Sequence, residues 1–215
     1  MSAILERDRV VGGVRVVHMG MSPYEPTLAA MCEFTARRGA ATPDELWLLE
    51  HPPVYTLGLA ADAAHGPKAG GTGATIPVVQ VERGGEITYH GPGQVVLYTL
   101  VDLARRGIKV KQFVAMLEQS VIDLLGRRAE RKRGAPGIYV NGAKVAALGI
   151  RVSRGCAFHG LALNVDMDLA PFSAINPCGF PGLQVTQTRD LGIKDGKDAL
   201  GGKLAAILAG KLEHA

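Results

Sequence analysis

The dipeptide Asn141-Gly142 is the feature of this sequence that most constrains its fold. It separates two apolar runs, Ile138–Val140 and Ala143–Ile150. Asn-Gly favours a type I′ turn, because both central residues of that turn need positive φ. The pattern therefore predicts an antiparallel β-hairpin.

Other short apolar runs, bounded by Gly and Pro, predict more strands. They are Val14–Met19, Glu45–Glu50, Val54–Gly58, Val78–Arg83, Val95–Leu100 and Phe158–Val165. Apolar residues three or four positions apart predict fewer helices. These are Thr27–Arg38, Lys111–Leu125 and Asp195–Leu212, the last weakened by Gly201 and Gly202. Strict strand–helix–strand alternation is absent, so we expect an α/β (α+β) domain on a mixed sheet and no doubly wound fold.

The 215 residues are 47% hydrophobic and 20% charged, which excludes a disordered chain and predicts one domain. We expect residues 1–13 to be a poorly ordered extension and residues 14–215 to be the domain. The stretch Ala60–Pro77, rich in Gly, Ala and Pro, predicts a mobile surface loop.

No run of about 18 apolar residues occurs, so no membrane-spanning helix is expected. Charged residues occupy the place where a secretory signal needs its apolar core, from Glu6 to Arg9. We therefore expect a cytoplasmic protein that does not associate with membranes.

The net charge of +4 is too small to identify a partner. The densest basic run is Arg127, Arg128, Arg131, Lys132 and Arg133. Contact with phosphates is one interpretation, but a solvated helix end and loop is favoured, and no nucleic-acid partner is expected.

Three cysteines cannot all pair within one chain, so each thiol is considered singly. Cys32 lies on an apolar helical face and is interpreted as a core residue. Cys156 precedes a predicted strand and is interpreted as structural. Cys178 lies in a turn between Pro177 and Gly179, which favours a presented thiol. No cysteine spacing fits a zinc site, so no metal is expected.

Two further segments contain residues suited to chemistry. Arg83–Gln94 is Gly-rich, so its backbone can approach a ligand closely, although a tight loop without a ligand fits equally well. Lys144 follows the predicted hairpin turn and, on a period of two, shares a face with Ala146, Leu148 and Ile150. A lysine beside a turn usually lies at a rim with its ammonium in water, but small neighbours favour a substrate site. Together with Cys178, these segments permit a cysteine acyl-transfer site in which Lys144 or His90 activates the thiol.

Taken together, three segments resemble one family. They are RGGEITYHGPGQ at Arg83–Gln94, GIYVNGAKVAALGIRVSRGCAFHGLALNV at Gly137–Val165, and INPCGF at Ile175–Phe180. The family is the lipoyl(octanoyl) transferases of lipoate biosynthesis, in the lipoate/biotin protein ligase-like superfamily. The resemblance runs from about Val14 to Gly210 and implies a mixed, mainly antiparallel sheet with packed helices.

The resemblance also implies a mechanism. Cys178 would take an octanoyl group from acyl-carrier protein as a thioester and pass it to a lysine of a lipoyl domain. Lys144 would lower the pKa of Cys178 and move protons. The implied acceptors are lipoyl domains of 2-oxoacid dehydrogenases and the glycine cleavage H protein. No cofactor is implied, and no ATP, since the donor thioester is already activated.

The resemblance implies substrate-binding residues on three segments. These are Arg83, Gly84, Gly85, Glu86, Ile87, Thr88, Tyr89 and His90; Ala147, Leu148 and Gly149; and Gly160, Leu161 and Ala162. Small and apolar residues suit an eight-carbon chain, whose burial contributes roughly 5–6 kcal/mol. Backbone N–H groups near Gly149 or Gly85 are both candidates for an oxyanion hole.

Three alternatives stay open. An ATP-dependent lipoate–protein ligase with the same fold would activate a free acid as an adenylate and need no cysteine. A non-catalytic domain would bind acidic carrier proteins through Arg127–Arg133. A thioesterase would discharge the acyl-enzyme with water.

Overall fold

The computed structural model describes residues 9–61, 75–126, 128–176 and 182–215. The strands of these ranges are β1 (Arg9–Val11), β2 (Val14–Met21), β3 (Asp44–Glu50), β4 (Val54–Leu57), β5 (Val78–Gln80), β6 (Ile87–His90), β7 (Gln94–Asp102), β8 (Ala129–Lys132), β9 (Ala135–Val140), β10 (Ala143–Ser153) and β11 (Cys156–Asn164). The α-helices are α1 (Tyr24–Arg37), α2 (Leu103–Arg106), α3 (Val110–Leu125) and α4 (Lys197–Glu213). Short 3-10 helices lie at Ala170–Ala174 and Arg189–Leu191.

Eight strands form one large sheet in the order β1-β2-β3-β7-β11-β10-β9-β8. Its neighbouring strands are antiparallel except β2 and β3, which are parallel. A second sheet has the order β5-β4-β6, with β5 parallel and β6 antiparallel to β4. The predicted mixed, mainly antiparallel sheet with packed helices is confirmed.

The hairpin at Asn141-Gly142 joins β9 and β10 as predicted. Asn141 has φ 51° and Gly142 has φ 81°, so both central residues are in the left-handed region that a type I′ turn requires. Ala143 pairs with Val140 directly across the turn. Local sequence alone therefore fixes this pairing.

Helices α3 and α4 cover one face of the large sheet. Leu204 and Leu208 of α4 are fully buried in one cluster with Leu46, Leu97 and other sheet residues. Gly201 explains how α4 comes so close, since a Cβ there would lie 3.3 Å from Leu48 Cδ2. The glycine that weakens the helix locally is thus needed for its packing.

The opposite face of the large sheet has two covers. Helix α1 places Met31 against an apolar cluster that includes Trp47, Leu100 and Phe158. The small sheet lies beside it and has its own cluster, built from Tyr55, Ile87, Tyr89, Met167, Phe172 and Ile175. The space between the large and the small sheet contains a cavity.

The middle of the basic run is a strand, since Arg131 and Lys132 lie in β8, so the interpretation as a solvated helix end and loop is wrong there. Arg128 and Arg133 lie in exposed turns. Strand β8 pairs antiparallel with β9 at the edge of the large sheet. Ala129 is buried, whereas Arg131 and Lys132 are exposed. A charged edge strand discourages pairing with another chain, which explains the basic residues without a ligand. Arg127 lies outside the described residues.

Two predicted segments are only partly described. Arg9–Val11 form β1, which pairs with β2, and residues 1–8 lie outside the described ranges. Most of the predicted surface loop Ala60–Pro77 also lies outside them, at 62–74. The boundary between extension and domain stays a prediction.

Candidate active site

A cavity of about 390 Å³ lies between the two sheets. Its volume is within the range that small-molecule sites use. The lining includes these residues from the sequence analysis: Arg83, Gly84, Gly85, Glu86, Ile87, Thr88, His90, Lys144, Ala147, Leu148, Gly149, Gly160, Leu161 and Ala162. Tyr89 is not part of the lining; its ring packs against Tyr55 and Phe172 in the core of the small sheet. Cys178 lies outside the described residues.

Three strands of the large sheet build the cavity floor, because side chains of paired residues point to the same face. The residues lie in three cross-strand rows. The first row is Gln94–Asn164, the second is Val96–Ala162–Ala147, and the third is Tyr98–Gly160–Gly149. Only small side chains occupy the middle of this floor, so the cavity is open along the strands.

Glycine is required at two floor positions, Gly149 and Gly160, because neighbouring backbone atoms leave no room for a Cβ. A Cβ at Gly149 would lie 2.7 Å from the Gly84 carbonyl oxygen. A Cβ at Gly160 would collide with the Leu97 carbonyl oxygen on β7. The first glycine lets the loop after β5 approach β10, and the second lets β7 and β11 pair closely.

Arg83 anchors that loop. Its guanidinium donates to the Thr56 carbonyl at 2.6 Å, to Thr56 Oγ1 at 2.7 Å and to the Glu86 carbonyl at 2.9 Å. The side chain is buried, and Gly84 N–H donates to the Ile150 carbonyl at 3.0 Å. The arginine therefore holds the loop between β4 and β10 in place. Its buried side chain also forms part of the cavity wall.

Lys144 is only 3% exposed, so its interpretation as a rim residue with its ammonium in water is wrong. Its Nζ donates to the Pro136 carbonyl at 2.9 Å and lies 5.2 Å from the centre of the Tyr139 ring. A β-bulge shifts the register between Lys144 and Ala146, so the expected period-two face fails at Ala146, although Leu148 and Ile150 do line the cavity with Lys144. Lys144 therefore lines the cavity with Ala147 and Gly149, while Ala146 packs in the helix-covered core.

The chain that follows Cys178 in sequence returns to Lys144. Lys144 N–H donates to the Gln184 carbonyl at 2.8 Å, and Thr186 N–H donates to the Lys144 carbonyl at 2.9 Å. Val185, between them, lines the cavity. The lysine backbone is thus paired with residues six to eight positions after Cys178.

A cluster of polar rings lies beside the cavity, and we call it the ring cluster: Tyr24, His51, His90, Tyr98 and His159. The sequence analysis identified only His90 among them. The sequence feature that could have identified the others is a polar ring inside an apolar strand, such as Tyr98 in VVLYTL. That pattern occurs in ordinary cores as well, so it does not identify a site.

Three members of the ring cluster form a hydrogen-bonded chain. His51 Nδ1 lies 2.7 Å from the Ser22 carbonyl, so it carries the proton and donates. Tyr98 OH then donates to His51 Nε2 at 2.7 Å, and Tyr24 shares a hydrogen bond with Tyr98. Burial lowers the pKa of His51 to about 4 and raises that of Tyr24 to about 12, so both are neutral near pH 7.

His90 belongs to a second network. Its Nδ1 donates to Gln94 Oε1 at 2.7 Å, and Gln94 Nε2 donates to Asn164 Oδ1 at 3.0 Å. Asn164 Nδ2 donates to the Thr186 carbonyl at 3.0 Å. Burial, with His51 nearby, lowers the pKa of His90 to about 3. The neutral ring is fixed in place, which does not favour His90 as an activating base near pH 7.

Two cysteines lie away from the cavity lining. Cys32 is exposed, so its interpretation as a core residue is wrong; α1 buries Tyr24, Thr27, Met31 and Thr35 instead. Cys156 is buried at the start of β11, where it pairs with Asp102 in the ladder. Its structural interpretation agrees with this position.

Two features are absent from the described ranges. No three His, Cys, Asp or Glu side chains there form a group suited to a metal ion. None of the helices described combines the length and apolar character that crossing a bilayer requires.

Curated sequences with high similarity carry one name. An octanoyltransferase of Thiobacillus denitrificans is 62% identical over 181 residues, which cover 83% of this chain and 81% of that protein. An octanoyltransferase of Dechloromonas aromatica is 54% identical over 202 residues, covering 93% of this chain and 97% of that one. The chain thus spans most of the length of these relatives.

Solved structures with little sequence identity share the fold. The bipartite lipoate protein ligase of Thermoplasma acidophilum superposes with a TM-score of 0.72 at 14% identity, covering 96% of this chain and 85% of that one. The biotin protein ligase of Aquifex aeolicus, in complex with biotin and ATP, gives a TM-score of 0.56 at 9% identity, with coverages of 92% and 70%. The family model described as the lipoyl protein ligase A/B catalytic domain matches residues 23–200. The chain belongs to the lipoyl protein ligase A/B catalytic domain family.

Proposed function

We propose that this protein is an octanoyltransferase that moves an octanoyl group from acyl-carrier protein to a lysine of lipoyl domains. The acceptors are those of 2-oxoacid dehydrogenases and the glycine cleavage H protein. The reaction passes through a thioester on Cys178. The observation that carries the proposal is Lys144, a buried cation in the wall of an apolar cavity, whose backbone pairs with the chain that follows Cys178.

In the first half-reaction, the Cys178 thiolate attacks the thioester carbonyl of octanoyl-carrier protein. The new C–S bond forms as the carbon–sulfur bond to the pantetheine sulfur breaks, and the leaving thiolate takes a proton from the Lys144 ammonium, which becomes neutral. Lys144 supports this step because an ammonium near a thiol stabilises the thiolate. Its fixed position on β10, held by Pro136 and the Tyr139 ring, prevents it from turning to solvent.

In the second half-reaction, the neutral ε-amine of the acceptor lysine attacks the acyl-enzyme. The amide C–N bond forms, the bond to Cys178 breaks, and one amine proton must be removed. Lys144, when neutral, accepts that proton and returns to the ammonium form.

The cavity suits the acyl chain. Its floor offers small residues in the second and third rows, and its walls include Ile87, Leu148 and Phe172. Burial of the seven CH₂ and CH₃ groups contributes roughly 5–6 kcal/mol to binding. One methylene changes this by only about 1 kcal/mol, so apolar burial alone discriminates chain length weakly.

No ATP enters the proposed reaction, because a thioester donor is already activated. An ATP-dependent ligase with the same fold would instead make an adenylate from a free acid. The relatives at 50–62% identity that carry the octanoyltransferase name favour the transferase. Transfer from octanoyl-carrier protein without nucleotide is the distinguishing assay, with free octanoate and ATP as the comparison.

Both protein substrates are expected to be acidic, and the chain carries a net charge of +4. Exposed basic residues on β8, including Arg131 and Lys132, supply part of that charge. We therefore infer that docking is weakly electrostatic and loses rate as salt rises.

The test of Cys178 is intact-mass analysis after incubation with octanoyl-carrier protein. The wild-type protein should gain one octanoyl group, which hydroxylamine or a lipoyl domain removes. Cys178→Ala should gain none, whereas Cys156→Ala and Cys32→Ala should be acylated like the wild type. An undiminished adduct on Cys178→Ala would exclude this cysteine as the nucleophile.

A further inference from the structure

The peptide bond between Pro136 and Gly137 holds the amine of Lys144. The Pro136 carbonyl accepts a hydrogen bond from Lys144 Nζ at 2.9 Å, and this bond ties the ammonium to β9. Lys144 pairs with Tyr139 in the ladder of β9 and β10. Its side chain therefore runs back along β9 from the level of Tyr139 to the level of Pro136.

Gly137 leaves space for the end of this side chain. A Cβ on Gly137 would lie 2.9 Å from Lys144 Cε, 3.1 Å from Lys144 Nζ and 2.8 Å from the Ala146 carbonyl oxygen. The φ of Gly137 is 132°, which residues with a side chain rarely adopt. The lysine amine therefore lies in the space that a side chain at this position would need.

The N–H end of the same peptide faces an anion. Gly137 N–H donates to Glu118 Oε1 at 3.4 Å, which is long for a hydrogen bond, so the carboxylate acts mainly through its charge. The N–H and the carbonyl of a trans peptide point in opposite directions. The Pro136–Gly137 peptide thus has Glu118 at its N–H end and the Lys144 ammonium at its carbonyl end.

Glu118 has contacts that hold its carboxylate in place. The residue lies on α3, and its side chain is 13% exposed. Arg131 Nε donates to Glu118 Oε2 at 3.0 Å. Arg131 Nη2 also donates to the Ala115 carbonyl at 3.0 Å and to Gln119 Oε1 at 2.9 Å, both on α3. The arginine therefore binds the carboxylate at one oxygen and leaves the other directed at Gly137.

An anion at the N–H end of a peptide makes its carbonyl a better acceptor. Each peptide unit has a dipole of about 3.5 D with its positive end at the N–H. A carboxylate there favours this polarisation and strengthens the bond from the carbonyl to an ammonium. Glu118 itself lies outside the cavity lining. Its removal should therefore weaken the hold on Lys144 and leave the lining in place.

This hold matters most in the second half-reaction, when Lys144 is neutral. An amine nitrogen can present only an N–H to a carbonyl oxygen, because the oxygen is an acceptor. With one N–H on the Pro136 carbonyl, the lone pair points away from that oxygen and is available for a proton. An amine that turned freely would lose this orientation, which proton transfer in the transition state requires.

We propose that Glu118 is a positioning residue that orients the Lys144 amine for proton transfer through the Pro136–Gly137 peptide. This inference rests on the proposed acyl transfer. Glu118 acts through the peptide and not on the substrate, so its loss lowers kcat and leaves KM unchanged.

The first test compares two substitutions of Glu118. The kcat of Glu118→Ala should be about tenfold below wild type, as for the loss of one charged hydrogen bond. Glu118→Gln should lose only about threefold, because its amide oxygen still accepts from Gly137 without the charge. KM for octanoyl-carrier protein should stay within about twofold in both. An unchanged kcat in Glu118→Ala would overturn the inference.

Glu130→Ala is the matched control for charge. Glu130 is an exposed acid on the neighbouring strand β8, so this substitution changes the net charge by the same amount. It should keep the wild-type kcat. An equal loss of kcat in Glu130→Ala and Glu118→Ala would assign the effect to overall charge and contradict the inference.

The second test is a double-mutant cycle with Lys144. Glu118→Ala should lower kcat about tenfold when Lys144 is present, but by less than about twofold in Lys144→Ala, because the amine that it orients is gone. A structural defect would lower kcat by the same factor in both backgrounds, and that result would overturn the inference. Single-turnover transfer, followed by intact mass, measures all four proteins.

Urea unfolding shows whether each variant is folded at the assay temperature. If Glu118→Ala does not fold, Glu118→Gln takes its place in the cycle. Its loss of about threefold should then disappear in the Lys144→Ala background, and a loss that persists would overturn the inference. A wild-type protein that transfers no octanoyl group would instead overturn the proposed function.

Discussion

Adjacent residues of the same two strands face very different surroundings. On β7, Val95 and Leu97 point into the core under α4, whereas Val96 and Tyr98 point to the cavity. On β11, Leu161 and Leu163 contribute to that core, whereas Asn164 on the other face belongs to a hydrogen-bonded network. The helix-covered face is thus mostly apolar, with Thr99 as a buried exception, and the cavity face mixes small, apolar and polar side chains.

This difference shows how one sheet serves stability and chemistry at once. The helix-covered face gains free energy from burial without any geometric requirement beyond close packing. The cavity face holds Lys144 and three neutral imidazoles, and each of these groups lowers stability unless a partner compensates. Substitutions on the two faces should therefore separate activity from stability.

Lys144→Ala should show the largest effect, confined to activity. Both half-reactions should slow by about 10²–10⁴-fold, because the thiolate and the proton acceptor are both lost. Acylation and discharge are measured separately by rapid-quench mass spectrometry. Lys132 is the matched control, since its Nζ lies 4.5 Å from the same Tyr139 ring but the residue is exposed. A Lys144→Ala protein with wild-type rates would remove the lysine from the mechanism.

Leu204→Ala tests the helix-covered face. This side chain is fully buried under the sheet, so its truncation should lower the free energy of unfolding by about 2–5 kcal/mol. The kcat at a temperature where the protein stays folded should change less than twofold. Urea unfolding measures the first quantity, with Val110→Ala, 47% exposed on α3, as the control. A large loss of kcat in the folded variant would contradict the separation of the two faces.

Arg83→Lys tests the loop that closes the cavity. A lysine cannot reproduce the forked contacts with Thr56, Gly84 and Glu86, so the loop should loosen. We expect KM for octanoyl-carrier protein to rise about tenfold, with kcat within threefold, as for a lost charged hydrogen bond. Arg37→Lys on the exposed face of α1 is the control. A fall in kcat with unchanged KM would indicate a direct role in the chemistry instead.

Acidification should lower the free energy of unfolding through the buried histidines of the cavity face. The effect of each histidine should be smaller than the effects of the substitutions above. His51, His90 and His159 have pKa values lowered to about 4, 3 and 3, so the folded protein binds fewer protons than the unfolded chain below the ordinary pKa of 6.5. The free energy of unfolding should therefore be fully retained above pH 6.5 and fall on acidification, by on the order of 1 kcal/mol per pH unit for each imidazole.

Urea unfolding at several pH values between 7 and 5 measures this slope. His51→Gln should reduce it by about a third, and the exposed His214→Gln should leave it unchanged. An identical slope in His51→Gln and wild type would show that this ring is not held neutral by the fold.

Much of the fold follows from local patterns. The Asn141-Gly142 hairpin, α3 and α4 lie where turn chemistry and apolar periodicity predict them. The prediction fails where tertiary contacts override the pattern. Strand β6 lies inside the Gly-rich segment taken for a loop, because its pairing with β4 comes from distant sequence. Cys32 fits an apolar stripe on α1, but the helix is rotated so that Met31 and Thr35 face the sheet.

For the site, too, local sequence predicts some features, and others depend on tertiary contacts. The three motif segments give most of the cavity lining and the position of Lys144 in the chain. They do not show that Lys144 is buried, because this depends on a β-bulge and on the return of Gln184–Thr186. They also miss Tyr24, His51 and Tyr98, since a polar ring in an apolar run reads as an ordinary core residue.

By itself the sequence determined the family, the mixed sheet and the chemical types available, since turn residues, apolar periods and motif residues act over short distances along the chain. Only the tertiary structure decided which polar groups are buried together. Strand pairing brings Tyr98 beside Gly160 and His159 from about sixty residues away, and burial then fixes the charge state of the imidazole. Burial and pairing are properties of the packed sheet, so no single segment encodes them.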